Sequence, residues 1–157
     1  MAESVIENYL EAILRLTKVK TLPEGLRYSS ATELLVAEGT VYEPLLWSDA
    51  GLEKGEFKVC YRNAGRLVMN RPDRYVYVEG LAVLSVVPLP VEHAWVYDLE
   101  LERAVEVTWA EVGPEYLGLP ITFDFLRGMT LLTGVWGLNW RAMCQTDADP
   151  EKYLFQA

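Results

Sequence analysis

Residues 75–87 read YVYVEGLAVLSVV, and residues 91–98 read VEHAWVYD. Both stretches are rich in aromatic and β-branched residues, which favour β-strands. Two prolines separate the stretches, and proline has no N–H to donate to a sheet. We therefore expect one strand over 75–87, followed by a hairpin whose strands cover 92–98 and 103–109 around a charged turn.

Helical patterns lie on the N-terminal side of these strands. Apolar residues at helical spacing predict a helix over 3–17. A shorter helix over 31–37 is predicted after the serine pair 29–30, because serine is a favoured N-cap residue. A third helix is predicted to begin at Cys60 and to stop at Pro72, which cannot continue it.

The remaining segments carry weaker patterns, and 42–57 and 116–121 are both predicted to be loops. Helices followed by at least three antiparallel strands indicate the α+β class, with the helices packed on one side of a β-meander. The 157 residues suffice for one domain over 1–157. We expect its core at 57–121, with mainly helical flanking segments at 1–40 and 122–157.

The composition narrows the classes of function. Hydrophobic residues make up 51% of the chain and charged residues 24%, as in a folded globular domain. The formal net charge is −9, which disfavours binding to nucleic acid or to an anionic membrane surface. No apolar run approaches the roughly 18 residues that a membrane helix needs, and the N-terminus lacks the pattern of a signal peptide.

Cys60 and Cys144 are the only cysteines, and His93 is the only histidine. Two cysteines are too few for a disulfide framework, so we expect free thiols and a cytoplasmic location. Two cysteines and one histidine also fall short of a four-ligand zinc site. Because no phosphate-binding glycine loop is present either, no cofactor is predicted.

A thiol at a helix N-terminus is a candidate nucleophile, since the helix dipole stabilises a thiolate there. Cys60 stands at such a position, although a free cysteine is more commonly a small buried side chain. An imidazole can accept the thiol proton, and a carboxylate behind the imidazole can fix its tautomer. His93 is the one available imidazole, and its alternative role is that of a structural histidine among aromatic residues.

Strand geometry selects the carboxylate that stands behind His93. Asp98 lies five residues further along the same strand, so its side chain points to the opposite face. With a hairpin turn of two or four residues, His93 pairs with Thr108 and has Glu106 as a diagonal neighbour on its own face. A turn of three or five residues would favour Asp98 or Glu102 instead.

The even-numbered turn is preferred because it gives the other face of the hairpin a consistent apolar pattern. In that register Ala94 pairs with Val107, and Val96 pairs with Val105. All four residues suit a buried face. Cys60, His93 and Glu106 are therefore the candidate catalytic residues.

Four motifs follow one another along the chain: Cys-x-x-Asn-Ala at 60–64, Tyr-Val-Glu-Gly at 77–80, His-Ala-Trp at 93–95 and Glu-x-Thr-Trp at 106–109. In this order they resemble the core of the transglutaminase-like (papain-like) cysteine protein superfamily. The run is also similar to small uncharacterised phage and bacterial proteins. The resemblance covers roughly 57–121.

The resemblance implies a thiol-dependent hydrolase or acyltransferase, such as a protease, amidase, deamidase or transglutaminase-like enzyme. Its substrate would be an amide, ester or thioester of a protein or small molecule, in the cytoplasm of a bacterium or phage-infected host cell. Cys60 would attack the acyl carbon, His93 would move the proton and Glu106 would orient the imidazole. Hydrolysis is preferred to cross-linking, because so small a domain offers little room to keep water away from an acyl-enzyme.

Two departures from the family pattern favour an alternative function. Glu106 and Val107 stand where the family usually has Asp and Pro. No glutamine precedes Cys60, which leaves the backbone N–H of Cys60 as the oxyanion donor. The alternative is a catalytically inactive binding or inhibitor protein of phage type on the same scaffold.

Three further features receive structural interpretations. A carboxylate in an apolar strand needs a partner, so Glu79 is expected to pair with Arg62 or Arg66, or else to line the cleft. The acidic residues of 98–102 are expected to form a solvated turn. Trp136, Trp140 and Cys144 recur every four residues, which predicts an apolar stripe along one helix.

Overall fold

The computed structural model describes residues 3–17 and 21–156. Residues 1–2, 18–20 and 157, which belong to the predicted flanking segments, lie outside the described residues. The helices are α1 (Val5–Thr17), α2 (Ala31–Glu38), α3 (Cys60–Asn70), α4 (Phe123–Thr133), α5 (Trp140–Met143) and α6 (Pro150–Tyr153). The strands are β1 (Thr40–Tyr42), β2 (Leu45–Leu46), β3 (Tyr75–Val83), β4 (Pro90–Asp98), β5 (Arg103–Glu106) and β6 (Tyr116–Ile121).

The strands form one six-stranded sheet in the order β1-β6-β3-β4-β5-β2. The predicted meander is present, since β4 pairs antiparallel with both β3 and β5. The short strand β2 pairs parallel with β5 and closes one edge of the sheet. At the other edge β1 pairs with β6. Both edge strands fall within or beside the predicted loop, and strands of two or three residues are too short to show an alternating pattern.

The prediction of a loop over 116–121 is wrong, because these residues form β6, which pairs with β3. Gly118 and Pro120 weaken the strand signal, but each has a place in the sheet. A Cβ at Gly118 would lie 2.7 Å from the Trp95 ring, so only glycine leaves room for that ring. Pro120 lies past the end of the pairing with β1, where the C-terminal segment needs only its carbonyl, which accepts the N–H of Phe155 at 2.9 Å, so the missing N–H of proline is tolerated.

The predicted register of the hairpin is confirmed where the strands pair. Val96 lies opposite Val105, and a four-residue turn joins the strands. The pairing ends there, so the predicted pairs of His93 with Thr108 and of Ala94 with Val107 are not formed. The chain turns because one carboxylate oxygen of Glu106 accepts the N–H groups of Thr108 and Trp109.

The predicted strand over 75–87 is also too long. It ends at Val83, the partner of Pro90 in the ladder between β3 and β4. Val86 and Val87 lie in an exposed loop, where the run of β-branched residues continues without a partner strand.

The helices pack on one face of the sheet, which confirms the α+β class. The larger core cluster joins Leu10 of α1, Leu34 of α2, Val68 of α3 and Leu126 of α4 with inward-facing strand residues. A smaller cluster around Trp95 covers the opposite face and contains no helical residue. No helix in the described part of the chain is both long and apolar enough to cross a membrane.

The three predicted helices begin and end close to their expected residues. Ser30 is the N-cap of α2, and its hydroxyl accepts the N–H of Glu33. In contrast, the predicted stripe of Trp136, Trp140 and Cys144 is wrong, because α4 ends at Gly134 in a left-handed conformation. Cys144 is buried, as expected of a core residue.

Candidate active site

Cys60 is the first residue of α3, and the loop before it is pinned to the chain beyond β5. The N–H of Gly55 donates to the carbonyl of Val107 at 2.7 Å. The Asn63 amide donates to the carbonyl of Glu56 at 2.8 Å and to the Thr108 hydroxyl at 2.9 Å. These bonds fix the N-terminal turn of α3 against the segment that follows Glu106.

The N-terminus of α3 has no side-chain cap, since its N-cap residue is Val59. Lys58 adopts a left-handed conformation with φ of 64°, which turns the chain sharply into the helix. The first N–H groups of a helix have no partner within it. The partial positive charge at this end of α3 therefore stabilises negative charge on or beside Cys60.

His93 is buried on β4, with 1% of its surface exposed. Its ring stacks on Trp109 with centroids 3.9 Å apart and an interplanar angle of 17°. Its Nε2 atom lies 2.7 Å from Oε2 of Glu106. Stacking and hydrogen bonding together fix the plane and the direction of the imidazole.

Glu106 is fully buried and accepts four hydrogen bonds. Oε2 contacts His93 and accepts the Tyr116 hydroxyl at 2.9 Å. Oε1 accepts the N–H of Thr108 at 2.7 Å and that of Trp109 at 2.9 Å. Burial raises the pKa of this carboxyl, but the hydrogen bond and the charge of His93, with the two backbone N–H groups, lower it overall.

The structure brings Cys60, His93 and Glu106 together. Cys60 is near enough to His93 to contribute to the raised pKa of the imidazole. Because Glu106 engages Nε2, the ring nitrogen left for the thiol is Nδ1. Burial lowers the pKa of His93, but the hydrogen bonds with Cys60 and Glu106 and the charge of Glu106 outweigh burial and raise the pKa to about 9.

Tyr116 is a site residue that sequence reasoning missed. Its hydroxyl donates to Glu106 and accepts the N–H of Gly113 at 3.0 Å. Tyr116 was not predicted because 116–121 was expected to be a loop, so no strand placed its side chain beside Glu106. Trp109 and Asn63 belong to the motifs at 106–109 and 60–64, but no role was predicted for either side chain.

Glu79 is buried but does not pair with Arg62 or Arg66, so that part of the prediction is wrong. Its carboxylate accepts the Tyr77 hydroxyl at 2.6 Å, the N–H of Leu138 at 3.0 Å and the Trp140 indole N–H at 2.7 Å. Two of the three donors, Leu138 and Trp140, come from the chain after α4, whose fold the sequence did not indicate. Glu79 therefore ties β3 to the segment before α5.

Asp98 lies on β4 and does not contact His93, in agreement with the parity argument. The prediction of a solvated acidic turn is wrong for Asp98, which is fully buried, whereas Glu100 and Glu102 are exposed as predicted. The Asp98 carboxylate accepts a hydrogen bond from the Arg74 guanidinium at 2.8 Å. It also accepts hydrogen bonds from the backbone N–H groups of Glu100 and Leu101. Burial raises the pKa of Asp98, but these partners lower it overall.

No family model, curated protein or solved structure matches the chain. Membership of the transglutaminase-like superfamily therefore stays a prediction from the motifs. Within residues 3–17 and 21–156, no three His, Cys, Asp or Glu side chains are grouped as metal ligands.

Proposed function

We propose that this protein is a thiol hydrolase that acts on an amide, ester or thioester through Cys60, His93 and Glu106. The observation that carries the proposal is the position of His93 between Cys60 and Glu106. The imidazole is buried, stacked on Trp109 and hydrogen-bonded through Nε2 to a carboxylate. A histidine with only a structural role would not require a thiol near Nδ1, the ring nitrogen that does not contact Glu106.

The raised pKa of His93, about 9, makes the imidazolium its principal form at neutral pH. The reactive state that we propose pairs a thiolate with this imidazolium, because only the thiolate attacks. The Cys60 sulfur forms a bond to the acyl carbon, and the carbonyl electron pair moves to the oxygen. When the tetrahedral intermediate collapses, the leaving group takes the proton from Nδ1 of His93.

Water completes the cycle. The neutral His93 takes a proton from water at Nδ1, while the water oxygen attacks the acyl carbon. The carbon–sulfur bond then breaks and releases the acid and the Cys60 thiolate. Glu106 stays ionised throughout and stabilises the imidazolium, which is the function of the third residue in such triads.

The oxyanion of the intermediate would be stabilised by the N-terminus of α3. The backbone N–H of Cys60 is the nearest donor, and the uncapped helix end adds its positive potential. The Asn63 side chain is not free for this purpose, because its amide donates to Glu56 and Thr108.

Acylation of the thiol by p-nitrophenyl acetate tests the proposal. Wild-type protein should release nitrophenol in a burst and carry one acetyl group on Cys60, detected by mass spectrometry. Cys60→Ala should abolish both signals, and His93→Ala should lower kcat/KM by about 100- to 10,000-fold. Cys144→Ala is the matched control, because it removes the other thiol.

If Cys60→Ala turns over the ester as fast as the wild type, the proposal is wrong. Acetylation without turnover would indicate the alternative function, a phage-type binding or inhibitor protein with a decayed triad. The engagement of Asn63 favours that alternative, since it leaves no side-chain amide at this position for an oxyanion.

A further inference from the structure

We propose that Trp109 is a positioning residue that holds His93 in its charged form by presenting the face of its indole ring to the imidazolium. This role rests on the proposed thiol hydrolase, in which the imidazolium is the partner of the Cys60 thiolate and protonates the leaving group. The stacking then has an electrostatic effect on the reaction, in addition to fixing the plane of the imidazole.

The rings of His93 and Trp109 lie nearly parallel and in direct contact. Their centroids are 3.9 Å apart and their planes meet at 17°, so the imidazole lies against the π face of the indole. A cation within about 6 Å of the centroid of a tryptophan ring is attracted by the negative face of the ring quadrupole. The contact therefore favours the imidazolium over the neutral imidazole.

The contact with Trp109 uses a direction that the hydrogen bonds of His93 leave free. The N–H groups of an imidazolium donate in the plane of the ring, and Nε2 lies 2.7 Å from Oε2 of Glu106. Only 1% of the surface of His93 is exposed, so water does not solvate the faces of the ring. Because a buried charge without partners is costly, Glu106 and Trp109 compensate the loss of water from two different directions.

The position of the indole is set by bonds that do not involve His93. The N–H of Trp109 donates to Oε1 of Glu106 at 2.9 Å, and the carbonyl of Trp109 accepts the indole N–H of Trp47 at 3.1 Å. The ring of Tyr116 packs nearby, with its centroid 6.1 Å from that of Trp109. The π face is therefore in place before His93 is protonated, which is the preorganisation that electrostatic stabilisation requires.

A second indole near His93 provides a comparison. The ring centroid of Trp95 lies 6.2 Å from that of His93, at the limit of the range over which the ring quadrupole attracts a cation. Trp95 is fully buried, whereas Trp109 is half-buried and lines a surface cavity of about 300 Å³. Trp109 is thus the closer partner of the imidazolium, and shortening its side chain should enlarge this cavity rather than empty the core.

The titratable side chains that face His93 are Cys60 from α3, Glu106 from β5 and Tyr116 from β6. Glu106 is ionised at neutral pH, since its pKa is lowered overall. Burial raises the pKa of Tyr116, which keeps its hydroxyl neutral. When Cys60 is replaced by alanine, the pKa of His93 therefore reports the surroundings of the imidazole without a second group that titrates beside it.

Titration of the imidazole by NMR tests this role without any substrate, because His93 is the only histidine in the chain. Trp109→Phe and Trp109→Leu are compared in the Cys60→Ala background. Both changes shorten the side chain, but only phenylalanine keeps a π face. We expect the pKa of His93 to be about half a pH unit or more higher with phenylalanine than with leucine. Equal values would overturn the inference.

Labelling with 5-fluorotryptophan repeats the test with the native side-chain shape, so it does not depend on the folding of the Trp109 variants. Fluorine withdraws electron density from the indole and weakens its attraction for a cation. In the Cys60→Ala protein, labelling should lower the pKa of His93, and this change should be absent when Trp109→Phe is added. A change of equal size in both proteins would assign the effect to Trp95 and overturn the inference.

Kinetic measurements with Cys60 present separate this inference from the proposed function. For hydrolysis of a p-nitroanilide, the alkaline limb of kcat/KM should lie at lower pH in Trp109→Leu than in Trp109→Phe, in the same order as the NMR titrations. If no acyl substrate is hydrolysed while the NMR order holds, the proposed function is wrong and the role of Trp109 stands. Hydrolysis with equal NMR titrations would leave the proposed function in place and overturn the role of Trp109.

Discussion

Glu106 uses both of its carboxylate oxygens twice, which explains how a glutamate fits a position where related motifs have an aspartate. One oxygen reaches His93 and Tyr116, while the other holds the backbone turn at Thr108 and Trp109. β5 ends at Glu106, and the residues that follow fold back over its carboxylate.

The pH dependence of the hydrolysis should follow His93. Because the imidazolium is the active acid and its pKa is about 9, kcat/KM should fall as the pH rises through about 9. Glu106→Gln removes a negative charge and a hydrogen bond that raise this pKa, so the alkaline limb should move to lower pH. The pH profile of hydrolysis of a p-nitroanilide, whose amine leaving group needs the proton, measures the alkaline limb in both proteins, and a limb that stays in place in Glu106→Gln would contradict the assignment.

Tyr116 is expected to act as a positioning residue through Glu106. Tyr116→Phe removes one donor to the carboxylate and leaves the buried N–H of Gly113 without its acceptor. The free energy of unfolding should fall by about 1–3 kcal/mol, and kcat should fall while KM stays unchanged.

Tyr28→Phe is the matched control for Tyr116→Phe. It also removes a buried hydroxyl that donates to a glutamate, Glu38 at 2.6 Å, but on the α2 side of the molecule. Denaturant unfolding and ester kinetics of the two variants separate positioning from stability. An equal loss of kcat in both variants would argue against a specific role of Tyr116.

At the scale of elements, the sequence predicts those helix ends and strand registers that depend on residues close together in the chain. α3 begins at Cys60 and β5 meets β4 in the expected register, because apolar alternation and turn parity are local properties. β6 is not predicted because Gly118 and Pro120 weaken the local strand pattern. Both residues are accommodated only by contacts with residues distant in the sequence. Contacts such as that of Glu79 with Trp140 depend on tertiary packing and leave no local signal.

Two glycines in helices should respond in opposite directions to alanine. A Cβ at Gly65 of α3 would lie 2.4 Å from the Trp136 ring, whereas nothing lies within 4 Å of a Cβ at Gly128 of α4. Gly65→Ala should therefore lower the free energy of unfolding by about 1–3 kcal/mol. Gly128→Ala should raise it by about 0.4–1 kcal/mol, because it reduces the entropy of the unfolded chain.

Urea denaturation of both variants, with tryptophan fluorescence as the probe, measures these changes. Gly65→Ala should also alter the fluorescence of the folded protein, since the Trp136 ring must move. If Gly65→Ala were as stable as the wild type, the contact between α3 and the segment after α4 would not contribute to stability.

For the whole molecule, the segments outside 57–121 are part of the fold, because they form hydrogen bonds with the central sheet. Ser4 and the first N–H groups of α1 bind the carboxylate of Glu115, just before β6. The C-terminal segment returns to the other end of β6, where the N–H of Phe155 donates to the carbonyl of Pro120 at 2.9 Å. Residues near each end of the described chain are therefore tied to β6, the strand beside β3.

The fragment 57–121, which carries all three candidate catalytic residues, should accordingly not fold alone. It lacks both edge strands and the core side chains that cover its sheet, which are those of Ile6, Leu10, Leu34, Leu35, Leu126, Met143 and Tyr153. Small domains have little stability to spare, so exposing this face should leave the fragment without fixed packing. Amide proton dispersion and near-ultraviolet circular dichroism should both be lost in the fragment and retained in a chain of residues 3–156, whereas a dispersed spectrum with cooperative unfolding would show that 57–121 is an independent core.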